Sequence, residues 1–356
     1  MPLRRRILFL LLALVAVVTS TAAADGPAAP ADAEVRKSVA RSLPFLEKAG
    51  LAWMQEKNCI SCHTVSFMLW SHNVAHSRGI PVDATKLAEW TEWSAQQSLS
   101  HRDDNPVISG GKNDGAGLDT MSQLLVGRDA ANSAGKWPEL VSSTPALMIH
   151  IQEKDGRWKA GGQLPNLLRP AAEGDAITTR WAILALSSIE TPDEATKQSI
   201  QKALAAVKDA APGKSIEDTV TRLLVAHQLG RSDEAADCRN QLAKMQHADG
   251  GWSFLADGPS DAFATGQVLY ALSKIAAQAH DDPTHDSIAK ARRFLIGTQR
   301  DDGTWPVTGA GISNASTPQR KKKVEPIYRY WGTAWATIGL ATSLPEMKPI
   351  TGSRDN

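Results

Sequence analysis

Apolar positions recur along this chain at helical spacing, and the stretches that carry them come in pairs. The first member of a pair is an ordinary helix-period stretch, such as Ala289–Leu295. The second is apolar and rich in small residues, as in Asp175–Ser187, Asp261–Ile275 and Tyr330–Ala341. A helix that is apolar over most of its surface has to be buried, so the second members are expected inside the molecule. Trp181, Tyr270 and Trp335 fall on this inner series. The string Gln-x-x-Asp-Gly-x-Trp joins the members three times, at Gln152–Trp158, Gln246–Trp252 and Gln299–Trp305. Asp-Gly closes a turn after the first helix, with glycine supplying a positive φ. The Gln amide and the Trp ring are then free to tie that turn to a neighbour.

Three more units have weaker turns. Leu118–Leu125, Glu217–Leu224 and Cys62–Leu69 align with one another as starts of second helices. Six such helices are therefore expected to begin near His63, Asp119, Asp175, Glu217, Asp261 and Arg329, about 40 to 70 residues apart. The pattern predicts an all-α chain of six two-helix units. The single acids Asp119, Asp175, Asp218 and Asp261 are expected to be helix N-caps.

The repeated turns resemble the QW motifs of the squalene–hopene cyclase and prenyltransferase repeat family, over nearly all of residues 35–345. That resemblance implies an α6/α6 toroid, the terpenoid cyclase and protein prenyltransferase barrel. It also implies an apolar small molecule in the toroid cavity. Class II cyclisation in the family uses an Asp-x-Asp-Asp string to hold one carboxylic acid protonated. This chain has no such string, and no Asp-rich pair for diphosphate. A terpenoid cyclase or prenyltransferase-like enzyme is thus the alternative function rather than the first.

The N-terminal segment sets the compartment. Arg4, Arg5 and Arg6 precede an apolar run from Ile7 to Val18, and Ala22 and Ala24 form an A-x-A exit. Residues 1–24 read as a signal peptide, residues 25–34 as a flexible lead-in and residues 346–356 as a tail. The protein is expected to be exported, periplasmic or extracellular, with no membrane span after cleavage. Removing three arginines and no acid takes the formal charge from +1 to −2, which argues against a nucleic-acid partner.

Cys59-Ile60-Ser61-Cys62-His63 is the C-x-x-C-H string of covalent c-type haem attachment. Two thiols at this spacing form thioethers with the porphyrin vinyls, and the adjacent imidazole ligates the iron. Met54–Ser61 aligns with Ile151–Trp158, so the motif replaces the turn of the first repeat. Cys59 stands where glycine stood, and His63 where other units have an inner-helix acid. Haem c held by Cys59, Cys62 and His63 is the expected cofactor, and the function electron transfer or a haem-dependent redox reaction. Met121 or His101 is the candidate sixth iron ligand. A Cys59–Cys62 disulfide on a non-catalytic binding scaffold is the second alternative, and zinc at the Cys and His residues a third. Trp53, Trp70, Trp90 and Trp93 crowd this end of the chain, as haem walls or as packing. The basic run Arg320–Lys323 is expected in a loop, where it could dock an acidic redox partner protein. Cys238 reads as a structural or free thiol.

Overall fold

The computed structural model describes residues 30–57, 64–100, 115–128, 137–161, 169–276, 284–307 and 317–346. Within them lie twelve helices: α1 (Asp32–Lys57), α2 (Val65–Ser77), α3 (Ala84–Ser100), α4 (Gly115–Arg128), α5 (Trp137–His150) and α6 (Ala171–Ser187) form the first half. The second half is α7 (Glu194–Val207), α8 (Ile216–Gln228), α9 (Ser232–Met245), α10 (Ala262–Ala276), α11 (Thr284–Thr298) and α12 (Pro318–Thr342). The even-numbered helices pack each on the next, from α2 round to α12 and back to α2, so the inner ring closes. The odd-numbered helices form the outer layer. This is the α/α toroid that the paired pattern predicts.

Composition separates the two layers. The buried face of α2 runs unbroken from Val65 to Ala75, and that of α10 from Ala262 to Ser273. The outer helix α7 buries a single stripe, Thr196, Ser199, Ala203 and Val207. Where α10 meets α12, Gly266 and Gly339 lie backbone to backbone, and a Cβ on either would strike the other helix. Small residues here permit a close approach of the two helices beside Trp335.

The three turns share one geometry. Gly156, Gly250 and Gly303 have φ of +93°, +88° and +79°. Each Gln amide donates to its own glycine carbonyl and to a carbonyl of a different outer helix. Gln152 reaches Ser199 (3.0 Å), Gln246 reaches Ser287 (3.0 Å), and Gln299 reaches Ser38 (3.0 Å). Each Trp ring is buried and donates to the preceding outer helix, Trp158 to Met148 (2.8 Å), Trp252 to Leu242 (2.8 Å) and Trp305 to Leu295 (2.7 Å). Each Trp backbone N–H donates to an inner-helix threonine, Thr179, Thr265 or Thr333. One turn thereby joins its own outer helix, its inner helix and the next outer helix. The Gln299 turn grips α1, so the last unit is fastened to the first.

Three expectations need correcting. The helix α12 starts at Pro318, well before Arg329, so Arg320–Lys323 lie in its opening turns and not in a loop. Proline suits a first helical position, and Lys and Arg are good helix formers, which together favour this earlier start. Of the four acids expected as caps, Asp261 caps α10 by accepting from Ala264 N (2.8 Å). Asp119, Asp175 and Asp218 lie inside α4, α6 and α8 and do other work. The helix α1 begins at Asp32, within the expected lead-in. Residues 1–29 and 347–356, which include the signal segment and most of the tail, lie outside the described residues. Among the described residues no helix is long and apolar enough to cross a membrane.

Glycine substitutions separate closure from local strain. Gly230 also has a positive φ (+67°), but a Cβ there meets nothing within 4 Å. A Cβ at Gly303 would be driven into the Arg41 carbonyl. Gly230→Ala should cost about 1 kcal/mol, and Gly303→Ala about 3 kcal/mol or more, in urea unfolding. Equal losses would mean that the last turn does not hold α1.

Candidate functional site

Near their starts α2, α4, α8 and α10 bring Phe67, Asp119, Glu217 and Phe263 to one end of the ring, which α12 reaches with Trp331 from well inside the helix, and this end is the mouth. Its polar wall comes from α6 and α8. Glu217 accepts from Arg169 Nη1 (2.7 Å) and from Trp181 Nε1 (3.1 Å), and both members of that ion pair are buried. Asp218 accepts from Arg180 (2.7 Å), Arg222 (2.8 Å) and Gly213 N (2.9 Å). Glu173 accepts from Lys214 N (3.0 Å), Ser215 N (2.9 Å) and Ser215 Oγ (2.6 Å). These carboxylates hold the segment before α8 in place. The charges of this wall are thus spent on each other and on the backbone.

Below the mouth lies a cavity lined by Phe67, Trp70, Asp119, Ser122, Gln123, Trp181, Glu217, Phe263, Gln267, Trp331 and Trp335. Its free volume is about 40 Å³, room for about three waters. Its floor is an aromatic cluster on the ring axis. Trp70 and Trp335 stand 5.2 Å apart edge to face, Trp70 and Tyr270 5.4 Å, and Trp181 and Trp335 5.8 Å. Phe67 stacks on Trp70 at 6.0 Å. The expected inner position of Trp181, Tyr270 and Trp335 is the observed one. Asp119 differs from the other acids of the mouth. Burial, and then the negative charge of Glu217, push its carboxyl well above the usual carboxylate range. Arg169 opposes this but is the smaller influence. Its surroundings therefore favour the neutral carboxyl over the charged one.

The haem-attachment residues Cys59, Cys62 and His63 lie outside the described residues, as does His101. The chain on either side is described. It leaves α1 at Lys57 and resumes at Thr64, buried at the start of α2, whose carbonyl accepts from Tyr330 OH (2.7 Å) on α12. Ser66 on the next turn donates to Gln123 of α4 (2.5 Å). Met121 is buried in the apolar cluster that holds Leu118, Met148 and Trp158. It points away from Asp119, since residues two apart on a helix face opposite sides. Of the four tryptophans at this end, Trp70 and Trp90 are buried, whereas Trp53 and Trp93 are half-buried. His72 is buried against Trp90 and bonds Met68 O through Nδ1 (2.7 Å), and desolvation lowers its pKa. Cys238 is a buried free thiol whose pKa burial pushes up to about 11, which makes it inert. Among the described residues no His, Cys, Asp and Glu gather into a metal-binding group.

Phe263, Gln267 and Trp331 were not expected at the site. A signal for Gln267 exists in the repeat register. With Asp218 matching Asp119 and His63 as in the alignment above, the position six residues on is Leu69, Leu125, Trp181, Leu224, Gln267 and Trp335, of which one is polar.

No family model and no curated protein matches this chain. Solved structures of α/α toroids do. The unsaturated glucuronyl hydrolase of Streptococcus agalactiae is similar with a TM-score of 0.63 at 14% identity, over 90% of this chain and 94% of its own. The type II terpene cyclase MstE of Scytonema, bound to its substrate geranylgeranyl dihydroxybenzoate, gives 0.55 at 14% identity, over 89% and 99%. The unsaturated glucuronyl hydrolase of Bacillus sp. GL1 gives 0.53 at 13%, over 87% and 96%. At these identities the likeness establishes the toroid fold.

Two stability measurements check the site's electrostatics. Arg169→Met leaves Glu217 buried without its cation and should cost about 3–5 kcal/mol, most of it recovered in Arg169→Met/Glu217→Gln. Asp119 has a raised folded pKa, so its favourable contribution is present below the ordinary carboxylate pKa and lost as pH rises through the folded value. Asp119→Asn should therefore gain on the wild type between about pH 4 and neutrality, and not below. A difference independent of pH would show that Asp119 is not held protonated.

Proposed function

We propose that this is an exported c-type haem protein on a toroid scaffold, acting in electron transfer or a haem-dependent redox reaction at the mouth of the ring. One observation carries the reading. In sequence Cys59, Cys62 and His63 stand just before α2, whose first turns carry Phe67 and Trp70 of the central cavity. The described surroundings suit such a group. Leu51, Trp53 and Met54 from the end of α1 and Trp93 from α3 are half-buried apolar residues, packed on the same cluster as Val65 and Met68 of α2. A porphyrin needs an apolar, partly shielded edge of this kind, and burial of that edge tunes its potential.

In this reading Cys59 and Cys62 hold the group through thioethers and His63 supplies the axial nitrogen. Bound haem supplies one-electron chemistry. The chain's own residues do the rest. Tyr330 and Gln123 anchor the first turn of α2 and so fix the direction in which the motif leaves the helix. The aromatic floor gives the cavity an apolar base, and that cavity is the place for a substrate or partner group.

A second reading has its own observation. Asp119 lines an aromatic cavity where burial favours its neutral carboxyl, and acid-initiated chemistry on an apolar alkene needs a donor so placed. It makes the protein a terpenoid cyclase-like enzyme without haem.

Protein from a host with active c-type maturation decides between them. After acid–acetone extraction, a pyridine haemochrome spectrum should show haem that stays with the polypeptide, and Cys59→Ser/Cys62→Ser should lose it. A colourless wild type would sink the haem reading. Turnover of a polyprenyl substrate that Asp119→Asn abolishes would then favour the cyclase, and its absence the scaffold with a Cys59–Cys62 disulfide.

A further inference from the structure

Gln267 is fully buried on α10, and among the described residues neither its amide nitrogen nor its oxygen has a hydrogen-bond partner. The Ser122 hydroxyl, buried on α4, is likewise unpartnered. Both line the central cavity. Burying such groups unpaired costs stability, and an apolar residue here would avoid that cost. The other five units place Leu or Trp at the position of Gln267. The amide is the departure from the repeat, and it stands where a ligand would meet it.

The wall defines the ligand. A primary amide offers a donor and an acceptor side by side in one plane. Both are satisfied together by a group that presents the complementary pair, which an amide or lactam does and a lone hydroxyl does not. The charge of Glu217 is already matched by Arg169. An incoming carboxylate would find no uncommitted cation among the described lining residues, and the charge of Glu217 would face it. The free volume of about 40 Å³ admits a head group of three or so heavy atoms, not a bulky ring. Phe67, Phe263 and Trp331 leave the space above it to a flat or apolar body.

We propose that the cavity binds an uncharged molecule by a carboxamide or lactam edge, paired at two points with the Gln267 amide, with Ser122 as a further partner. This adds a ligand class to the cavity that the proposed function uses; it rests on that use of the cavity and not on the haem.

The test is calorimetric titration of the mature protein with benzamide, benzoate and toluene, which share a ring and differ in the head. Benzamide should bind about tenfold more tightly than either of the others, as two added hydrogen bonds allow. Gln267→Leu should erase that preference while keeping or raising the thermal midpoint, because it removes an unpaired buried amide. Equal binding of all three, or no binding of benzamide at millimolar concentration, overturns the proposal. So does a thermal midpoint that falls in Gln267→Leu, which would mean the amide is already paired within the protein. The titration is repeated on Cys59→Ser/Cys62→Ser. A benzamide preference in a wild type without haem sinks the haem reading alone, and haem without the preference sinks this one alone.

Discussion

Everything in this molecule depends on how a ring of helices is kept from opening. Each inner helix is held by its neighbours, but a ring has a seam, and the seam falls between the last unit and the first. The Gln299 turn helps to close it, beside the packing of α12 on α1 and α2. Its amide spans its own glycine and Ser38 of α1, its Trp305 is buried, and Gly303 presses against the Arg41 carbonyl where no larger residue fits. The bond is modest in energy, on the order of 1 kcal/mol for each hydrogen bond. Its leverage is geometric, because it fixes the outer helix of the first unit to the turn of the last where the ring meets itself.

Closure explains why charge can be concentrated at the mouth. Arg169, Arg180, Glu217 and Asp218 are all buried there, which is costly unless every partner is held in register. A rigid ring supplies that register. It also sets the contrast between Glu217, which has its arginine, and Asp119, whose carboxyl burial and Glu217 push above the usual range. A similar division of roles between neighbouring carboxyls follows in any site where one acid takes the available cation.

Much of the fold was legible because a single motif recurred at fixed spacing. Gln, Gly and Trp each have one chemical task in the turn, and the structure gives them that task three times. The inner placement of Trp181, Tyr270 and Trp335 followed from the small, apolar character of their helices. Helix starts were less legible. An acid in the first turn looks the same in sequence whether it caps the helix, as Asp261 does, or reaches sideways to an arginine, as Asp218 does. Arg320–Lys323 misled for a related reason, since a basic run after proline can be loop or first turn with equal ease. Gln267 went unnoticed because its unit was judged by its turn and not by its inner face.

The aromatic cluster has a consequence for traffic. A second cavity, lined by Val126, Leu184, Ser188, His227 and Lys274, lies at the other ends of the inner helices, and it shares Trp181 with the first. The ring is therefore a pair of cups set base to base with an indole between them, and not a pipe. Whatever enters one cup must leave by the rim it crossed. Entry and exit then compete for the same opening, so a product that lingers blocks the next arrival.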